Sequence, residues 1–200
     1  MFDLTQKIKK NISTIIIIAG ALFIIAALAL LLYNQRSYDI DTQKALASIH
    51  GLLPEVTDEF PQEKGNNVMP SMAIDSESYV AIICMEAYDY EMPVRSVYDA
   101  KAVEKVPCRY SGSIYDSSLV IATSDNDGQM DFINNVNTGD KITVTDMKGG
   151  RFTYKVVKVE NSNSADGDEL SEGGYDLTLL VEYSGYTDYL FIRCETAALG

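Results

Sequence analysis

The chain has 200 residues, with 29 acidic and 16 basic side chains and a formal net charge of −13. That length allows one domain plus an accessory segment. The charge excludes general nucleic-acid binding, which needs clustered Lys and Arg against phosphates. A lone histidine, His50, excludes a His-rich metal site.

Lys7, Lys9 and Lys10 precede "IIIIAGALFIIAALALLL", an uncharged run from Ile15 to Leu32. Its 18 residues are just enough to span a bilayer as a helix. The basic flank stays in the cytoplasm, so the bulk of the chain is expected outside. A signal-peptidase cut after Ala27-Leu28-Ala29 is the alternative. It would leave the apolar residues Leu30 to Tyr33 on the new terminus. The preferred reading is therefore an uncleaved anchor. The expected order is a cytoplasmic N-terminus (1–14), a transmembrane anchor (15–33), a stalk helix and linker (34–76) and a β domain (77–200).

In "SYDIDTQKALASIHGLLPE", Leu46, Ile49 and Leu53 fall on one helical face and Pro54 ends the helix. His50 stands beside that face and is expected as a partly exposed stalk residue. The following "PEVTDEFPQEKGNNVMPSMAIDSES" holds three prolines and a Gly-Asn-Asn, and reads as linker.

From there the pattern is β. "YVAIICM" (79–85), "MPVRSV" (92–97) and "SLVIAT" (118–123) read as strands. "KITVTD" (141–146) and "RFTYKVVKVE" (151–160) flank "MKGG", a hairpin signal. "DLTLLVE" and "YLFIRCE" complete the set, and "QMDFINNV" (129–136) suggests a short helix. Many short, turn-separated strands imply an all-β barrel or sandwich.

The order of motifs carries a resemblance. "YVAIICMEAYDYEMPVRS" is similar to the opening strands of the sortase barrel. "PCRYSGSIYDSSLVIATSDNDGQMDFINNVNTGDKITVTD" resembles the core that bears the family's histidine. "FTYKVVKVE", an acidic loop and "DLTLLVEYSGYTDYLFIRCE" resemble the strands that bear its cysteine and arginine. "PCRYSGS" and "VEYSG…IRCE" look closest to class B-like sortases. The resemblance covers roughly residues 78–197. It implies an eight-stranded sortase-type β-barrel with short helices, in the envelope of a Gram-positive-type cell. It also implies thiol transpeptidation: cysteine attacks a sorting-signal peptide, histidine moves protons and arginine steadies the oxyanion.

Carried over by position, the resemblance puts other residue types at all three places. Ser124 follows "VIAT" where the family has histidine. Glu182 ends "LTLLV" where it has the nucleophilic cysteine. Tyr189 lies four residues before Arg193, the counterpart of a second, structural arginine, and so occupies the place of the catalytic arginine. Ser124 and Glu182 as a new hydrolytic pair would need a strong base and an orienting third group. The simpler expectation is a hydrogen bond between the two strand ends, or plain exposure.

Thr123, Asp125, Tyr183 and Tyr186 are the candidate groove residues. Tyrosine suits such a surface, having an apolar body and a polar tip. Asp125, Asp127 and Asp131 around Gly128 resemble part of a calcium loop. In EF-hand register, however, the first acid and the closing Glu are missing, so no metal or other cofactor is expected. Of Cys84, Cys108 and Cys194, the last two lie in family-like stretches, and a bridge between them is conceivable outside the membrane. The resulting expectation is a membrane-anchored, catalytically inactive sortase-like protein. It would bind a sorting-signal peptide, a pilin or wall protein, or a partner sortase. The alternatives are an enzyme working through a non-standard site and a purely structural envelope protein.

Overall fold

The computed structural model describes residues 2–58, 67–125, 132–183 and 188–197. The chain divides into two units, Met1–Asp41 and Thr42–Gly200. A continuous helix, α1 (Phe2–Leu52), runs through the first and into the second. Nothing in its sequence breaks it before Pro54, which disfavours helical geometry at Leu53. It carries the window Ile16–Tyr33, long and apolar enough to cross a membrane, with mean hydropathy 2.9. The sequence predicts a separate stalk helix, but the two helical stretches are one.

The second unit is β-rich. Its strands are β1 (Met72–Ile74), β2 (Glu77–Met85), β3 (Tyr90–Arg95), β4 (Cys108–Ser111) and β5 (Leu119–Ser124). They continue as β6 (Lys141–Asp146), β7 (Arg151–Ser162), β8 (Leu177–Glu182) and β9 (Tyr189–Thr196), with a short helix α2 (Gly167–Ser171) before β8. The sheet order is β1-β2-β3-β4-β5-β8-β9-β7-β6, and β2 also pairs with β6. That last pairing closes eight strands, β2 to β9, into a barrel, as expected. β1 is an appendage on the start of β2. The wall is uneven. β7 and β9 share a long ladder, whereas β3 meets β4 through the single pair Arg95 and Cys108. Around it, the Arg95 N–H donates to the Pro107 carbonyl (2.9 Å) and Arg109 Nε to the Ser96 carbonyl (3.2 Å).

The period-two alternation of the strands sorts the core. Leu119 and Ile121, Leu177, Leu179 and Val181, and Leu190, Ile192 and Cys194 fill the barrel interior with Ile83, Val144 and Tyr154. The alternate residues Val120, Ala122, Leu180 and Phe191 form a second cluster on the outer wall. That cluster includes Ala45, Leu46 and Ile49 from the end of α1, with Ala102, Val103 and Val106 from the β3–β4 connection. Leu46 and Ile49 thus face the domain, and α1 ends as part of its outer layer. Met69, in the stretch predicted to be linker, joins the interior cluster.

Strand edges differ from the predicted ones by a residue or two. Two strands were not predicted: β1 has three residues, and β4 carries "CRYS", whose polar half is exposed. Of the predicted helix 129–136, the described part is a single 3₁₀ turn, Ile133–Asn135; residues 126–131 lie outside the described residues. The "MKGG" hairpin is present. Asp146, buried at the turn, accepts from the N–H groups of Lys148 and Gly150 (2.8 Å each) and from the Tyr115 hydroxyl (2.5 Å).

All three cysteines are free. Cys194 points into the barrel and Cys108 into the outer cluster, with two strands between theirs. Three ladder spacings part their strands, and Cys194 is offset a further three residues along β9 from Phe191, the residue level with Cys108, which keeps them well beyond the about 7 Å between Cα atoms that a disulfide allows. The conceivable Cys108–Cys194 bridge is therefore excluded.

Candidate functional site

Parallel pairing of β5 with β8 sets the two strand ends side by side, with Ser124 opposite Glu182. Antiparallel pairing of β8 with β9 sets Glu182 opposite Tyr189. Ser124, Glu182 and Tyr189, 65 residues apart in sequence, thus form one row across three adjacent strands. By alternation the row faces outward, in phase with Ala122, Leu180 and Phe191. Ser124 is buried, while Glu182 and Tyr189 are half-buried.

The β3–β4 connection reaches over this row. The Tyr98 hydroxyl donates to Glu182 Oε1 at 2.9 Å. Asp99 starts the turn that follows, accepting from the Lys101 and Ala102 N–H groups (3.0 and 2.8 Å). The Tyr98 ring meets Tyr110 edge to face, with centroids 5.1 Å apart. Tyr110 sits at a register shift in β4, the kind of bulge that re-aims a side chain. Burial raises the Glu182 carboxyl above its ordinary value, the Tyr98 hydrogen bond opposes this, and the Glu104 charge adds to it. The Tyr98 phenol is pushed up too, by burial and then by its bond to Glu182.

Two of the predicted groove residues, Thr123 and Tyr183, do not share this face. Thr123 is fully buried on the interior-facing side, next to Tyr90, one residue out of phase with Ser124. Tyr183 is likewise out of phase with Glu182; it packs against the interior cluster. With Asn161, Ser162, Asn163 and Asp188, it lines an open depression of ≈ 660 Å³. Asp125 lies just past β5, its N–H donating to the Glu182 carbonyl (3.2 Å); the Tyr183 phenol is raised chiefly by burial, with the Asp125 charge adding to it. Tyr186, Asp127 and Asp131 lie outside the described residues. Among the described residues, no three His, Cys, Asp or Glu side chains are placed to hold a metal.

Sequence reasoning missed Tyr98, Tyr110 and Glu104. The local signal at Tyr98 is the Asp99 cap, which announces a turn and nothing about a partner 84 residues away. Arg193 matches its expected structural part. It is buried, and donates to Glu160 Oε1 (3.1 Å), Thr178 Oγ1 (3.2 Å) and the carbonyls of Leu170 (2.9 Å) and Glu169 (2.7 Å). It therefore ties α2 to β8 and β9. His50 Nε2 lies 3.2 Å from Glu91 Oε2 on an exposed part of the domain. Cys84, Glu86 and Arg151 line the same small cavity as His50.

No protein-family model and no curated protein matches the chain. Solved structures do. A lid mutant of sortase A from Corynebacterium diphtheriae superposes with TM-score 0.54 at 17% identity, covering 82% of this chain and 96% of that one. Sortase C1 from Streptococcus agalactiae gives 0.52 at 19% identity, covering 64% and 72%. Sortase C-1 from Actinomyces oris gives 0.51 at 18%, covering 60% and 73%. At these identities the likeness is one of fold: the protein has the sortase fold.

Proposed function

We propose that this is a membrane-anchored, extracytoplasmic sortase-fold protein that binds at the cell envelope without carrying out transpeptidation. Its ligand class is a sorting-signal peptide, a pilin or wall protein, or a partner sortase, and its motifs stand nearest the class B-like branch. The observation that carries the reading is the row Ser124–Glu182–Tyr189. These residues occupy the three strand-end positions where the resemblance places histidine, cysteine and arginine. A carboxylate that already accepts a tyrosine hydroxyl is no substitute for a thiolate as an acyl acceptor. The Ile16–Tyr33 helix and the basic flank before it support an anchor with the barrel outside.

The test is a cleavage-and-transfer assay on the full chain in nanodiscs, with sorting-signal peptides and an amine acceptor, beside a peptide-binding titration. Saturable binding without product is the expected result. Product formation abolished by Glu182→Gln would favour an enzyme with a non-standard site. Neither binding nor product would overturn the peptide-binding reading.

A further inference from the structure

We propose that Glu182, Tyr98, Tyr110 and Tyr189 form a receptor for an organic ammonium group, of the kind a lysine side chain presents. The inference deepens the binding reading above and rests on it for the use of this face. Three observations carry it.

The first is charge. Glu182 is half-buried, yet no ion pair involves it among the described residues. Its described partner is the neutral Tyr98 hydroxyl on Oε1. A carboxylate withdrawn from water and left without a counter-charge gains most from a cation that arrives with its own hydrogen-bond donors. Glu104 adds negative potential at the same place.

The second is the surround. Tyr189 is the direct cross-strand neighbour of Glu182, and Tyr98 and Tyr110 meet edge to face beside it. Aromatic faces attract alkylammonium groups, and they also accept the methylene stem that an inorganic cation lacks. The third is access. Glu182, Tyr98 and Tyr189 are half-buried and Tyr110 is 39% exposed, so the cluster opens to solvent. One carboxylate among phenols offers too few anionic oxygens for a calcium ion, which takes six to eight oxygen ligands.

The test uses the full chain in nanodiscs with ¹³C-carboxyl glutamate, the Glu182 resonance being assigned by its loss in Glu182→Gln. It is titrated at constant ionic strength with n-butylammonium, n-butanol or potassium chloride. We expect a saturable shift at Glu182 for n-butylammonium alone. The affinity for n-butylammonium, read in wild type and variants from the line broadening of the ligand's own methylene signals, should weaken at least tenfold in Glu182→Gln and several-fold in Tyr189→Leu. Glu182→Gln should melt no lower than wild type, and Tyr189→Leu within a few degrees of it. If Tyr189→Leu fails to fold, Tyr110→Leu at the exposed rim replaces it. Equal shifts with potassium chloride, no saturation, or unchanged affinity in Glu182→Gln would overturn the proposal. Peptide binding indifferent to lysine acetylation, with no n-butylammonium effect, would sink the ammonium site and leave the binding reading standing. Saturable n-butylammonium binding without peptide binding would do the reverse.

Discussion

Glu182 and Glu160 show how two carboxyls in one domain acquire opposite pH behaviour. Glu160 is held below its ordinary value, chiefly by Lys158 and also by Arg193, against the effect of burial. Its contribution to stability is present above its unfolded pKa and fades as pH falls through its folded one. Glu182 is held above its ordinary value, chiefly by burial. The folded state therefore binds its proton more tightly than the unfolded chain does. Its contribution is full below its unfolded pKa and is lost as pH rises through the folded value. The groups facing it are Tyr98, Tyr189, Ser124 and, by charge, Glu104. Glu182→Gln keeps the acceptor for Tyr98 and removes the charge. The expected outcome is a higher melting temperature than wild type at pH 7, with the gap closing toward pH about 4, near the unfolded value for a carboxyl. Thermal melts of the two proteins across that range check it. A constant gap would mean that the ionisation of Glu182 is not coupled to folding.

Among the elements, the last turns of α1 change most between sequence and structure. Spacing alone puts Leu46, Ile49 and Leu53 on one face and says nothing about what that face meets. The outer wall of the barrel supplies the answer, because its outward rows are apolar at Val120, Ala122, Leu180 and Phe191. Ile49 is fully buried and Leu52 is 62% exposed, on the same helix. Truncating a buried isoleucine costs about 2–5 kcal/mol, whereas an exposed position away from such features stays within about 0.5 kcal/mol. Ile49→Ala should therefore lower the denaturant midpoint of the domain sharply while Leu52→Ala leaves it in place. Equal effects would show that this helix end is a free stalk. The strands were legible because each carries its own apolar run. β1 and β4 were not, because three or four half-exposed residues leave no periodicity to read. Ser124, Glu182 and Tyr189 were legible one by one as strand ends from the apolar runs beside them, and the ladder pairings bring them into one row. Tyr98 was not, because its bond to Glu182 is made by the topology and leaves no mark in the local sequence.

At the scale of the whole molecule, the barrel wall separates the thiols. Cys194 faces inward and Cys108 outward, and burial pushes the first up to about 12 and the second up to about 11. Cys84 is half-buried and is raised as well, by burial and by Glu91 and Glu86. Reactivity follows access and thiolate content. Brief alkylation of the native, unreduced chain should label Cys84 first and leave Cys108 and Cys194 for the denatured state, all three ending modified without reductant. A mass showing a pair that labels only after reduction would contradict the separation.

The single rung between β3 and β4 gives the cylinder one seam weaker than the rest. The segment that carries Tyr98 leaves the wall at that seam and re-enters it on the other side. Tyr98, gripping Glu182 from above, works as a hasp thrown across the thin join. The thinnest join in the wall is thus spanned by a side-chain tie as well as by its own rung and the two hydrogen bonds beside it.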